Sequence, residues 1–292
     1  MGRRFRGNGA LVAIGAITAV GVACGARSEL GSAGTSGGEG GDSSWVSSSS
    51  TNSGAGGAGA GPVEGDCGLL EGPRMVRVIG PTGEAYCIDA TETTNAHYKR
   101  FLAADVELGS QEPRCQWNTT WEPGFWEEDD EPVVAVDFCD AVGYCAWAGK
   151  RLCGPIGGPV TDPLELAEPT RSEWSWACSA GGTKAFPYGN EFDPTACVSA
   201  LTNGDGEYTE PEDHVYPVAS FERCQGGFTG LFDMSGNVSE WEDACTGEGP
   251  EELCVVRGGG YYNLAQPALA CAGLLTPKPQ TLSYGAGIRC CL

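Results

Sequence analysis

The stretch Gly230-Leu231-Phe232-Asp233-Met234-Ser235-Gly236-Asn237-Val238-Ser239-Glu240-Trp241 lies late in a chain of 292 residues. Glycine, Asp, Ser and Asn punctuate it, so it reads as loop. The same holds for much of its surroundings, because 18 prolines and many glycines interrupt the chain. Three short helices are nevertheless legible from their start and stop signals. Thr93 or Thr94 can cap one that runs to about Ala104, with Tyr98, Phe101 and Leu102 on one side. Asp137 can cap a second, whose Phe138, Val142, Cys145 and Ala146 make an apolar stripe that stops near Gly149. Thr170 and Glu173 form a capping box ahead of Trp174, Ala177 and Cys178, and Gly181-Gly182 ends that helix. Strand-like runs lie at 75–79, 132–136 and 254–257.

Further out, the first 66 residues have a different character. Residues 1–24 read as a bacterial export signal, with Arg3, Arg4 and Arg6, an apolar run from Ala10 to Val22, and small residues at the break. Gly21-Val22-Ala23-Cys24 resembles a lipobox, which would make Cys24 the lipidated first residue of the mature chain; secretion after ordinary cleavage is the alternative. Residues 25–66 are a Gly/Ser/Ala tether, with Gly and Ser at 19 of the 30 positions 31–60, and no core can form there. Such a tether of about 40 residues has an r.m.s. reach of about 35 Å. The folded part is expected at 67–292, enough for one large domain.

Charge and cysteine content narrow the function. Lys plus Arg is 17 against 39 Asp plus Glu; without the three signal arginines the balance is 14 − 39 = −25. Such a surface repels nucleic acid and anionic membranes, so membrane contact is expected only through a lipid anchor. Two histidines, His97 and His214, and the lack of any C-x-x-C argue against zinc fingers and three-histidine iron chemistry. Fifteen cysteines point to an oxidising compartment, and setting Cys24 aside leaves 14, enough for seven disulfides. Proximity in sequence suggests Cys197 with Cys224 and Cys245 with Cys254.

Several motifs follow one another in a recognisable order: Glu92-Thr93-Thr94-Asn95 with Tyr98 and Phe101, Pro132-Val133-Val134, AVGYCAWAGKRL at 141–152, Arg171-Ser172-Glu173-Trp174, Phe186-Pro187-Tyr188-Gly189-Asn190, the 230–241 stretch, Arg257-Gly258-Gly259, and Gly287-Ile288-Arg289-Cys290. Together they resemble the formylglycine-generating enzyme, or sulfatase-modifying factor, domain family over nearly all of 67–292. The resemblance implies an α+β, loop-rich, C-type-lectin-like fold stapled by disulfides. It further implies that Cys178 pairs with Cys271 and Cys145 with Cys290; Cys67, Cys87, Cys115, Cys139, Cys153 and Cys291 remain unassigned, with separate partners expected for vicinal Cys290 and Cys291.

The family's oxidase holds copper(I) through two cysteines shortly after an Arg-Gly-Gly-Ser motif, and soft thiolates suit that metal. Counting from Arg257, those positions fall on Asn263 and on or near Ala268, neither of which supplies a thiolate. The motif's serine is Gly260, and the tryptophan before the glutamate in the family's Gly-Asn-x-Trp-Glu-Trp motif is Ser239. The scaffold motifs survive while the chemical positions are lost, so copper is not expected. One family calcium site can persist, with ligands from the side chains of Asp233 and Glu240 and the carbonyls of Gly236 and Val238; the alternative is that these carboxylates only hydrogen-bond loop amides.

His97 is expected on the polar surface of its helix, and His214, in the acidic loop 210–213, as at most a weak ion-pair partner. Trp117, Trp121, Phe125, Trp126, Tyr261 and Tyr262 either line a carbohydrate or peptide groove or cover the core, as such residues more often do. The leading expectation is an exported bacterial lipoprotein that binds a protein or carbohydrate ligand without catalysis. Its alternative is a copper-dependent formylglycine-generating oxidase acting on sulfatase cysteines.

Overall fold

The computed structural model describes residues 67–292 except 125, 161, 201–213, 264–265 and 283–284. The expected signal peptide, Cys24 and the tether lie outside the described residues. Chain order gives β1 (Met75–Ile79), β2 (Ala85–Asp89), α1 (Asn95–Ala103), α2 (Phe138–Trp147), β3 (Arg151–Leu152), α3 (Glu173–Cys178), β4 (Ser239–Cys245), β5 (Cys254–Arg257), α4 (Gln266–Leu269), β6 (Leu274–Leu275), β7 (Ala286–Gly287) and β8 (Cys290–Cys291). Two four-stranded sheets run in the orders β1-β2-β8-β3 and β6-β5-β4-β7, with β7 parallel to β4 and the other pairings antiparallel. This is the α+β, loop-rich, disulfide-stapled architecture that the motifs imply.

Capping chemistry sets the helix starts. The Thr94 hydroxyl accepts the His97 amide at 3.3 Å, while His97 Nδ1 receives the Thr94 amide at 3.3 Å. His97 is therefore a half-buried capping partner and not a surface residue; burial, with Arg100 and Lys150 nearby, pushes its pKa down to about 4. Asp137 and Asp140 form the same reciprocal box at α2. The third helix begins two residues later than its expected box: Ser172 is the cap, and Thr170 belongs to a preceding 3-10 turn. The run 132–136 is not a strand. Ala135 has φ 53°, which interrupts the extended backbone, and only Pro132 forms an isolated bridge, with Thr94.

One core joins α1 and α2 to β4 and β5 through Tyr98, Phe101, Phe138, Tyr144, Trp241 and Val256. A second sits under β1 and β2, where Val78, Ile88, Trp174, Leu231 and Met234 meet. Seven disulfides thread both: Cys67–Cys87, Cys115–Cys139, Cys145–Cys290, Cys153–Cys291, Cys178–Cys271, Cys197–Cys224 and Cys245–Cys254. Cys290 and Cys291 thus have separate partners, on α2 and just after β3. A framework this dense belongs to an extracytoplasmic protein. Among the described residues no helix is long and apolar enough to cross a membrane.

Candidate functional site

The 230–241 stretch is a chain of tight turns that runs into β4. Asp233, Gly236 and Asn237 adopt φ of 57°, 79° and 58°. At 236 only glycine fits, since a Cβ would collide with the Val198 carbonyl. The turns place Asp233, Asn237 and Glu240 in the interior, each nearly inaccessible to solvent. Glu240 is held by Arg289, whose Nε reaches Oε2 at 2.8 Å and whose NH2 reaches Oε1 at 2.8 Å. Trp174 Nε1 donates to the same Oε2 at 2.5 Å.

Beside this ion pair lie two further buried carboxyls. Asp233 accepts the Ala219 amide at 2.6 Å, and Glu92 accepts from Asn237 Nδ2 at 3.1 Å. Asn237 closes a two-way amide pair with the backbone of Tyr216, at 2.9 and 3.2 Å. Glu92 Oε2 is buried without a partner. Burial pushes the Asp233 carboxyl up to about 6, and burial beside Asp233 holds Glu92 well above the usual carboxylate range. Three carboxyls facing one guanidinium balance if Glu92 keeps its proton and presents it to Asp233, which also accounts for Oε2.

This arrangement does not fit calcium on Asp233, Gly236, Val238 and Glu240. Both Glu240 oxygens already receive donors from a cation, and a second cation there would meet the Arg289 charge. Asp233 already accepts the Ala219 amide. Among the described residues no group of three His, Cys, Asp or Glu is disposed to hold a metal.

Of the positions expected for copper, Asn263 lies in a small turn after β5. Asn263 Oδ1 accepts the Gly260 amide at 2.6 Å and its own amide returns to the Gly260 carbonyl at 2.9 Å, so the side chain serves the turn. Ala268 lies in α4 and offers only a methyl group. The ring of Tyr262 fills the space beside Gly260, where a Cβ would be 2.9 Å from ring Cε1. Ser239 is buried nearby in sequence to Glu240 with its hydroxyl unpartnered. Every cysteine from Cys67 to Cys291 is in a disulfide, which leaves no thiolate for copper(I) among the described residues. The copper donor set does not fit.

The remaining candidates divide. Trp121 is buried and Trp117 packs against the main core, whereas Trp126, with Lys99 over its ring at 5.2 Å, and Tyr262 are exposed; Phe125 lies outside the described residues. Trp117, Trp121 and Trp126 line no shared groove with Tyr261 and Tyr262 among the described cavities. His214 stacks on Tyr216, with centroids 4.6 Å apart. The sequence motifs contained Glu92 and Arg289, but nothing local showed that they meet Asp233 and Glu240, 49 positions from Arg289 in the latter case.

Residues 76–292 match the sulfatase-modifying factor enzyme 1-like domain. The chain is 30% identical to the inactive C-alpha-formylglycine-generating enzyme 2 of Mus musculus, over 75% of this chain and 78% of that protein. It is 28% identical to the formylglycine-generating enzyme of Bos taurus, over 55% of this chain and 44% of that protein. Among solved structures, PvdO from Pseudomonas aeruginosa aligns with TM-score 0.49 and 19% identity, covering 76% of this chain and 90% of that one. The motifs, the two-sheet architecture and the match over 76–292 have one reading: this chain belongs to the sulfatase-modifying factor, or formylglycine-generating enzyme, domain family.

Proposed function

We propose that this chain is an exported, lipid-anchored member of the family that binds a protein or carbohydrate partner and has no oxidase activity. The observation that carries this reading is the state of the sulfur atoms: all fourteen cysteines from Cys67 onward are consumed in disulfides, while Asn263 and Ala268 stand at the copper positions. An amide and a methyl group give copper(I) no soft anionic ligand. Tyr262 reinforces this by filling the space beside Gly260. The similarity to a relative named as inactive points the same way. Cys24 at the end of the apolar signal, followed by a Gly/Ser tether, supports anchoring and presentation away from a membrane.

The deciding experiment incubates the native protein with copper, oxygen and a peptide bearing Cys-x-Pro-x-Arg, and looks for the aldehyde by mass. No product above a copper-only control is expected. Aldehyde formation would establish the oxidase alternative instead.

A further inference from the structure

Access from solvent differs among the seven disulfides. Thirteen of the fourteen cysteines from Cys67 onward are buried, and the exception is Cys245, which is partly exposed at the end of β4. It borders a cavity of about 450 Å³ together with the exposed Gly247 and Glu248, so the cavity meets solvent beside it. Its partner Cys254 is 1% exposed and belongs to the main core. The Cys115–Cys139 bridge also borders a cavity, but both of its residues are 1% exposed. Thiol–disulfide exchange requires an external thiolate to reach one sulfur, and exposed bridges are the ones that exchange. Cys245–Cys254 has one approachable end and one protected end.

The strands hold this pair together without help from the bridge. Cys245 and Cys254 are register partners on antiparallel β4 and β5, with Cα atoms 4.0 Å apart. Pairing continues on both sides of them, since Trp241 pairs with Val256 in the ladder and the Thr246 amide donates to the Leu253 carbonyl at 2.9 Å. The Cys254 amide is fixed in turn by the Pro277 carbonyl at 2.9 Å. Only nine positions separate the two cysteines, against 20 to 145 for the other six pairs, so opening this bridge releases the least constraint on the chain. Thiols formed here stay neighbours on a paired ladder.

We propose that Cys245–Cys254 is a reversible redox site for low-molecular-weight thiols, with Cys245 the sulfur attacked and Cys254 the leaving and resolving thiol. The external thiolate bonds to Cys245 Sγ, the Cys245–Cys254 bond breaks, and Cys254 Sγ departs with the electron pair and takes a proton. A second external thiolate then attacks the external sulfur of the mixed disulfide and displaces Cys245. Two thiols become one disulfide, and the protein gains the two electrons as a dithiol. In the opposite direction an external disulfide is attacked by Cys245, and the Cys254 thiolate, held alongside, expels the external thiol and closes the bridge. This chemistry is separate from the copper positions at Asn263 and Ala268 and does not depend on the reading of those residues.

The test treats the full native chain with increasing 2-mercaptoethanol, quenches with iodoacetamide and maps the cysteines by mass spectrometry. Cys245 and Cys254 are expected to be alkylated before any other cysteine, with the 2-mercaptoethanol adduct found on Cys245 and the far-ultraviolet circular dichroism unchanged at that stage. Bis(2-hydroxyethyl) disulfide should then restore the bridge. Earlier or simultaneous opening of another disulfide, an adduct on Cys254 in place of Cys245, loss of the folded signal with the first bridge, or failure to re-form it would each overturn the proposal. Folded Cys254→Ser should take up one 2-mercaptoethanol from the external disulfide, whereas folded Cys245→Ser should leave Cys254 unmodified; the reverse pattern would also overturn it. The order of opening in the native protein decides the matter if either variant fails to fold.

Discussion

The ring of Tyr262 lies so close to Gly285 that a Cβ at 285 would overlap its Cε1 atom. Gly260 flanks the same ring, so both glycines are required where the family's chemistry would otherwise be sited. Gly285→Ala should therefore force the ring out and destabilise the protein by about 1–3 kcal/mol, the usual cost of overpacking. In a Tyr262→Ala background the same change should cost much less. Urea unfolding of the four proteins gives the coupling, and equal costs in both backgrounds would show that the ring is not the obstacle.

Cys145–Cys290 and Cys178–Cys271 close segments with sequence separations of 145 and 93. Chain entropy gives about 4–5 kcal/mol for each loop of this length. Replacing both cysteines of either pair by alanine should lower the urea midpoint strongly, and full reduction should unfold the domain. Non-reducing peptide mapping checks the connectivity; recovery of Cys178 or Cys290 with another partner would contradict the structure.

The buried Glu92–Asp233 pair makes stability depend on pH. An acid whose folded pKa lies above its unfolded value binds more protons when folded, so its contribution falls as pH rises from the unfolded value to the folded one. For Asp233 that window runs from 3.8 to about 6. Asp89 and Asp137, also pushed up to about 6 chiefly by burial, act in the same sense. Through these groups the unfolding free energy should therefore decline between about pH 4 and 6. Glu92→Gln supplies a permanent N–H to Asp233 and should flatten part of that decline while raising stability at pH 7.5. An unchanged slope would mean that the pair does not share a proton.

Millimolar calcium should leave the melting temperature unchanged at neutral pH, because Arg289 already occupies the Glu240 carboxylate. A calcium-dependent rise that Asp233→Asn abolishes would show instead that a cation balances the cluster.

Cys24 should carry the anchor if the apolar signal and the small residues before it are read as a lipobox. Intact-mass analysis of the mature amino terminus tests this. Cys24→Ala should release the protein from membranes, and an unmodified terminus downstream of Cys24 would contradict the anchor.

Features that depend on neighbours a few positions apart are legible in the chain alone. Caps are of this kind: Thr94 and Asp137 sit where their side chains reach an amide three residues on, which is why α1 and α2 were legible to within a residue or two. The family's motifs in order pointed to the fold. Thr170 is not the cap, because a 3-10 turn with Pro169 at its start shifts the helix entry to Ser172, and the 132–136 run is not a strand, because positive φ at Ala135 leaves no mark in composition. Contacts made across long stretches of chain emerge from the fold. Insertion of β8 between β2 and β3 brings Cys291 to Cys153, 138 positions away, and carries Arg289 to Glu240. Partners so distant are fixed by sheet order and by the need to neutralise charge in an interior without water, and neither quantity is written in any short window of residues.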